Sequence, residues 1–138
     1  MFTKAIFDSG IFIGSQDTKD QYAAQSAEIL KNFRNKEILK VYLTDYVVVE
    51  TINFLLKKVG FEKASVMYDL LLNTENIEII YIDDSYTEII KKLFSKYKKL
   101  SITDCSLIAL SEKLKIKEIF SFDRHFDGVK GIRRFTSI

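Results

Sequence analysis

Short β-compatible runs alternate with longer helix-period segments along the whole chain, and few folds accept that alternation. TKAIFD, KVYLT, IEIIYI and KEIFSF read as strands, with a last short one in IRRFTSI. From about Asp20, the spacing of Ala23, Ala27, Leu30 and Phe33 predicts an amphipathic helix. DYVVVETINFLLKKVG is too densely apolar for a surface helix and predicts a buried one, with Asp45 near its start and Gly60 as its stop. FEKASVMYDLLLN places Phe61, Ala64, Met67, Tyr68, Leu71 and Leu72 on one face and is expected to pack back on the preceding helix as a hairpin. DDSYTEIIKKLFSKYKKL carries a stripe of Tyr86, Ile89, Ile90, Leu93 and Tyr97. Its acids Asp83 and Asp84 lie first and its lysines last, the order a helix dipole favours. TDCSLIALSEKLKI is a further helix, whereas SGIFIG and DRHFDG read as turns. The order implies a mainly parallel sheet of roughly five strands with helices on both faces. Its crossovers are right-handed, and ligands collect beyond the carboxyl ends of its strands.

Composition narrows the class. With 138 residues and no proline-rich or glycine-rich stretch, the chain is expected to form a single domain spanning residues 1–138. No apolar run approaches the roughly 18 residues a membrane span requires, so no membrane partner is expected. MFTKAIFDSGIFIG is interrupted by Asp8 and followed by no small-residue cleavage pattern, so the expected location is the cytoplasm. One cysteine, Cys105, and one histidine exclude an internal disulfide and the usual zinc sites, leaving oxygen as the donor for any metal. A net charge of +2 is too small to argue for nucleic acid. Lys91, Lys92, Lys96, Lys98 and Lys99 concentrate positive charge at one helix end, which reads mostly as a solvated face, with contact to RNA as the alternative.

The acids are more informative. Asp8 ends the first strand and Asp123 the fourth, so a parallel sheet points both toward one edge. Asp104 opens a helix near that edge. Glu50 lies between VVV and TINFLL, where a buried carboxylate would be costly without compensation. Crowded carboxylates raise one another's proton affinity, and a hard cation such as Mg²⁺ reverses that effect. Such an ion keeps several waters, takes one or two carboxylates directly and makes water a better nucleophile. Plainer readings stand beside this one. Asp104, with Ser101 and Thr103 before it, fits a helix cap, Asp8 before Ser-Gly fits a turn, and Asp123 before Arg124 fits an exposed turn. Asp127 next to Gly128 reads as a turn residue whose closeness to Asp123 also makes it a candidate outer ligand.

Taken together, IFDSGIFIG, LTDYVVVETINFLLKKVG, SITDCSLIAL and EIFSFDRHFDG resemble the PIN-domain family, and within it the VapC-type toxin ribonucleases. The resemblance covers almost the whole chain in the family's order, and TDC followed by FDRHF is its most telling pair. It implies a three-layer α/β/α sandwich and a Mg²⁺- or Mn²⁺-dependent endoribonuclease acting on single-stranded RNA. It also implies a small antitoxin protein as partner and a homodimer. Asp8, Glu50, Asp104 and Asp123 would each be a catalytic metal ligand or support one. Ser9, Thr103 and Ser121 would supply hydroxyls beside them, with Arg124 and His125 facing phosphates. Gly10 falls where many relatives carry a polar side chain, a departure that bears on a direct substrate contact there and not on the metal site.

Other classes fit less well. A haloacid dehalogenase phosphatase needs a second Asp where Gly10 stands, and a response-regulator receiver needs an acidic pair earlier than Asp83 and Asp84. Two readings within the fold stay open: a module that binds RNA or a protein without cutting, and an RNA-processing or maintenance nuclease outside any toxin system.

Overall fold

In the computed structural model, which describes residues 1–138, strand β1 (Ala5–Phe7) exposes none of its three side chains. Such a strand needs cover on both faces, which a parallel sheet between helices provides. The other strands are β2 (Val41–Thr44), β3 (Ile77–Ile80), β4 (Glu118–Phe120) and β5 (Arg133–Phe135), and every neighbouring pair is parallel in the order β3-β2-β1-β4-β5. The sheet is thus wholly parallel. Between the strands lie helices α1 (Ser9–Gln16), α2 (Ala23–Arg34), α3 (Asp45–Lys58), α4 (Phe61–Asn73), α5 (Thr87–Lys96) and α6 (Ile102–Leu114). The steps β1 to β2 and β2 to β3 run one way across the sheet, and the step from β3 to β4 runs back. Right-handed crossovers therefore lay α1 to α4 on one face and α5 with α6 on the other, giving the expected three layers.

Three local expectations need correction. SGIFIG is a helix and not a turn: Asp8 ends β1 and caps α1, its Oδ1 accepting the Ser9 N–H at 2.8 Å. The apolar run that follows is buried nearly all round, with Ile11, Phe12 and Ile13 in the core, so it lacks the polar face that marks a helix in sequence. In α3 the buried stripe is Val47, Val48, Thr51 and Leu55. The helical period consequently turns Val49 and Glu50 outward, and Glu50 is exposed and needs no interior compensation. In α4 only Ala64, Met67 and Leu71 are buried, and Phe61, Tyr68 and Leu72 face outward because the helix meets the body along a narrower stripe than its sequence suggested. DRHFDG forms a single 3₁₀ turn, Arg124–Gly128. No helix is long and apolar enough to cross a membrane.

The core is built heavily from phenylalanine. The Phe120 ring meets Phe7, Phe2 and Phe135 at 5.2, 5.1 and 5.5 Å between centroids, tying the sheet's centre to its β5 edge. On the other side, α1 and α2 approach closely at Gly14. A Cβ built there would stand 2.1 Å from Ser26 Oγ and 3.3 Å from the Tyr22 carbonyl oxygen. That approach leaves no room for a methyl group.

Gly14→Ala should therefore force α1 and α2 apart and cost about 1–3 kcal/mol. Gly128→Ala meets nothing within 4 Å and should stay within about 0.5 kcal/mol of the parent. Urea denaturation of both variants checks this, and an unchanged midpoint for Gly14→Ala would show that the helix pair is not close-packed.

Candidate active site

The strand order reverses its direction of travel between β1 and β4, and the crevice beyond such a reversal is where parallel α/β sheets place their ligands. Asp8 leaves β1 there, and Ser121, Phe122 and Asp123 leave β4. A cleft of about 530 Å³ opens at this point, lined by Asp8, Ser9, Glu50, Asp104 and Asp123 together with Gly10, Asp20, Tyr22, Lys99, Ser101 and Phe122. All four principal acids of the sequence reading thus meet in one concavity.

Hydrogen bonds across the two strand ends fix their positions. The Ser121 hydroxyl donates to Asp8 Oδ2 at 2.7 Å and accepts the Asp123 N–H at 3.0 Å, so one hydroxyl links the acid after β1 to the acid after β4. The Ser9 hydroxyl donates to Glu50 Oε2 at 2.6 Å, joining α1 to α3. Asp123 Oδ1 accepts the His125 N–H at 2.8 Å and lies 3.2 Å from His125 Nδ1. Arg134 holds the floor of this region from β5, donating to the Ser121 carbonyl at 3.2 Å while its fork grips Asp127 at 2.7 and 3.0 Å.

Asp104 has two roles in geometry. Its Oδ2 accepts the Ser101 N–H and its own N–H donates to Ser101 Oγ, both at 3.0 Å, a complete capping box at the start of α6. Its side chain also lines the cleft, so the capping reading and the site reading both hold as placements. Behind it, the Ser106 and Thr44 hydroxyls lie 2.9 Å apart, and Thr44 caps α3 by accepting the Val47 N–H at 3.3 Å. That buried pairing ties the helix carrying Asp104 to the helix carrying Glu50.

Two of these charges, on Asp8 and Asp104, are costly where they stand. Burial pushes the Asp8 carboxyl from its ordinary 3.8 up to about 7, against the stabilising Ser121 and Ser9 bonds, with the Asp104 and Glu50 charges adding to the rise. Burial also raises Asp104, and the charges of Asp123 and Glu50 act in the same direction. Cys105, fully buried beside Asp104, is pushed up to about 11 by burial and stays a core thiol, as the sequence indicated.

The donor set suits a hard divalent cation, being all oxygen and negatively charged. Glu50 Oε1 and Asp123 Oδ2 make no hydrogen bond within the protein and stay free to coordinate. No set of three or more acid, histidine or cysteine side chains is gathered closely enough to hold an ion directly. That spacing fits a cation that takes one or two carboxylates and reaches the others through water, and does not fit a dry cage of four.

The remaining sequence candidates separate. Ser9 and Ser121 are tied to the acids as described. Thr103 lies outside the cleft wall and offers its carbonyl to Ser106 Oγ at 2.6 Å. Asp127 is taken by Arg134 and does not line the cleft, and Arg124 and His125 face a neighbouring pocket. Sequence reasoning missed Asp20, Tyr22 and Phe122, and it read Lys99 mainly as part of a solvated basic face. The Tyr22 and Phe122 rings stack at 4.4 Å and 8°, and Phe122 lies 3.3 Å from where a Gly10 Cβ would be. The aromatic FDRHF was the one available signal for Phe122. It also explains Gly10, since a side chain there would press on the stacked pair.

The chain matches the family model described as PIN domain over residues 5–132. No curated protein matches it in sequence. Among solved structures, it is similar to Mycobacterium tuberculosis VapC20, described as a sarcin-ricin loop cleaving toxin. The TM-score is 0.78 at 16% identity, covering 94% of this chain and 98% of that one. A toxin-antitoxin complex from Klebsiella pneumoniae matches with TM-score 0.66 at 16% identity, covering 94% and 95%. VapBC2 from Rickettsia felis, bound to a DNA fragment from its promoter, matches with TM-score 0.70 at 12% identity, covering 96% and 98%. At these identities the likeness speaks for the fold.

A pH dependence follows from the buried acid. Asp8 ionises near 3.8 in the unfolded chain and near about 7 in the folded one, so between those values the folded state holds the additional proton. The stability of the protein in chelating buffer should therefore fall as pH rises from about 4 to about 7 and stay low above that. Asp8→Asn should flatten this slope. Urea titrations across the window check it, and a parent protein whose stability does not fall there would contradict the placement of Asp8.

Proposed function

This chain belongs to the PIN domain family, and from that premise we propose that it is a metal-dependent endoribonuclease that hydrolyses single-stranded RNA. The observation that carries the reading is the meeting of Asp8, Glu50, Asp104 and Asp123, from four separate stretches of chain, in one cleft at the sheet's reversal point. A binding module has no use for carboxylates held at such electrostatic cost, and a nuclease does. Mg²⁺ or Mn²⁺ is the cofactor, and when bound it activates water near neutral pH and offsets charge building on the phosphate. Glu50 and Asp123, with their free oxygens, would hold the ion directly, and Asp104 would support it through water. Asp8, whose two oxygens each take a donor from the chain, sets the geometry of the base of the site. Ser9 and Ser121 keep the carboxylates oriented, as hydroxyls behind metal ligands do.

The biological setting we propose is that of a toxin paired with a small antitoxin, acting as a homodimer built from one PIN-like domain per chain. The support is the fold shared with proteins described as toxins or as toxin-antitoxin complexes. An RNA-processing role outside such a pair uses the same chemistry and differs only in the consequence for growth.

Purified protein should cut single-stranded RNA with Mg²⁺ or Mn²⁺ and stop with EDTA. Asp8→Asn and Asp104→Asn should lose roughly two orders of magnitude or more in rate, the scale of removing a charge-stabilising group. Ser121→Ala, which leaves Asp8 and Asp123 unlinked, should lose about 10–100-fold. Equal cleavage by parent and variants would place the activity in a contaminant. In cells, induced expression should arrest growth in a manner that requires Asp8 and is relieved by the product of a neighbouring small gene, whereas unaffected growth would favour RNA processing.

A further inference from the structure

A second concavity adjoins the acidic cleft. It encloses about 370 Å³ between the residues that follow α5 and the 3₁₀ turn after β4, and its walls include Lys96, Lys98, Lys99, Arg124 and His125 with no carboxylate among them. Lys99 lines both concavities, so the two lie side by side. Lys96, Lys98, Lys99 and Arg124 are all exposed, and none of them forms an ion pair. The negative end of the α5 dipole accounts for Lys96, the last residue of that helix. It does not account for Arg124, which a separate segment brings to the same hollow. Two unconnected stretches of chain thus supply free cations to one pocket beside a site crowded with anions.

A polyanionic strand entering the acidic cleft is repelled by every charged side chain there except Lys99. Its attraction must come from next door. We propose that this pocket is a phosphodiester-binding subsite, holding a backbone phosphate of the RNA strand away from the bond that is cut. The inference rests on the ribonuclease reading and adds to it where the flanking strand is held. Arg124 presents a planar fork suited to two phosphate oxygens, and Lys98 and Lys99 act as point charges. His125, whose Nδ1 rests on Asp123 Oδ1, stands at the boundary between the pocket and the acids.

The test measures binding separately from cleavage. In an Asp8→Asn background, the affinity for a short fluorescent single-stranded RNA is followed by anisotropy across a salt series. Adding Lys98→Gln and Arg124→Gln should weaken binding and lower the slope of log affinity against log salt by about 0.7 for each phosphate no longer neutralised. A charge-matched control, Lys57→Gln with Lys58→Gln at the end of α3, should leave the slope unchanged. Equal slopes for the pocket variant and its parent, or an equal decrease in the control, would overturn the subsite in favour of diffuse attraction. If the unsubstituted protein cuts no RNA but the pocket-dependent slope remains, the nuclease reading falls and the subsite stands. If it cuts RNA with the slope unmoved, the reverse holds.

Discussion

The structure turns on the hydroxyl of Ser121. Asp8 and Asp123 lie at opposite ends of the sequence, yet Ser121 donates to one and accepts from the other across the two central strands. A buried carboxylate is tolerable only with donors close at hand, and Asp8 has two. Even so, its proton affinity stays well above normal, because burial outweighs those two hydrogen bonds and the charges of Asp104 and Glu50 add to the rise. The fold has placed this charge where no cationic protein group balances it.

Much of this was legible in the sequence, for a physical reason. Strand alternation and the acids that close TKAIFD and follow KEIFSF indicated where a parallel sheet would gather them, because the carboxyl ends of parallel strands share one edge. What could not be read was anything that depends on burial from all sides. SGIFIG is apolar without a polar face, so its periodicity says nothing, and α1 went unseen. The densely apolar α3 hid the opposite fact, that Glu50 is exposed at the cleft rim. Tyr22 stayed invisible because it belongs to a surface stretch whose composition is ordinary, and Lys99 shows in the sequence only as part of a basic helix end; tertiary packing alone brings them to the acids. Phe122 stood inside a quoted motif without its role being apparent until its ring was seen against Gly10 and Tyr22.

Several residues carry structural and chemical duties at once. Asp104 completes a helix cap while facing the cleft, and Asp8 does the same at the start of α1. Capping holds each carboxylate still, since its donor is backbone already fixed by the helix. The cap therefore preorganises the acid without recruiting additional residues. The Thr44–Ser106 pairing extends this by fixing the two helices that bring Glu50 and Asp104 together.

The position of β4 has a temporal consequence. It is inserted beside β1 in the middle of the sheet, although about 110 residues separate the two in the chain. During synthesis, β1 must wait with one edge unpaired and Asp8 without its serine until β4 and Ser121 have been made. Until then a ribosome producing this protein is attached to a molecule with no assembled acidic cleft, and the cleft closes only as β4 arrives.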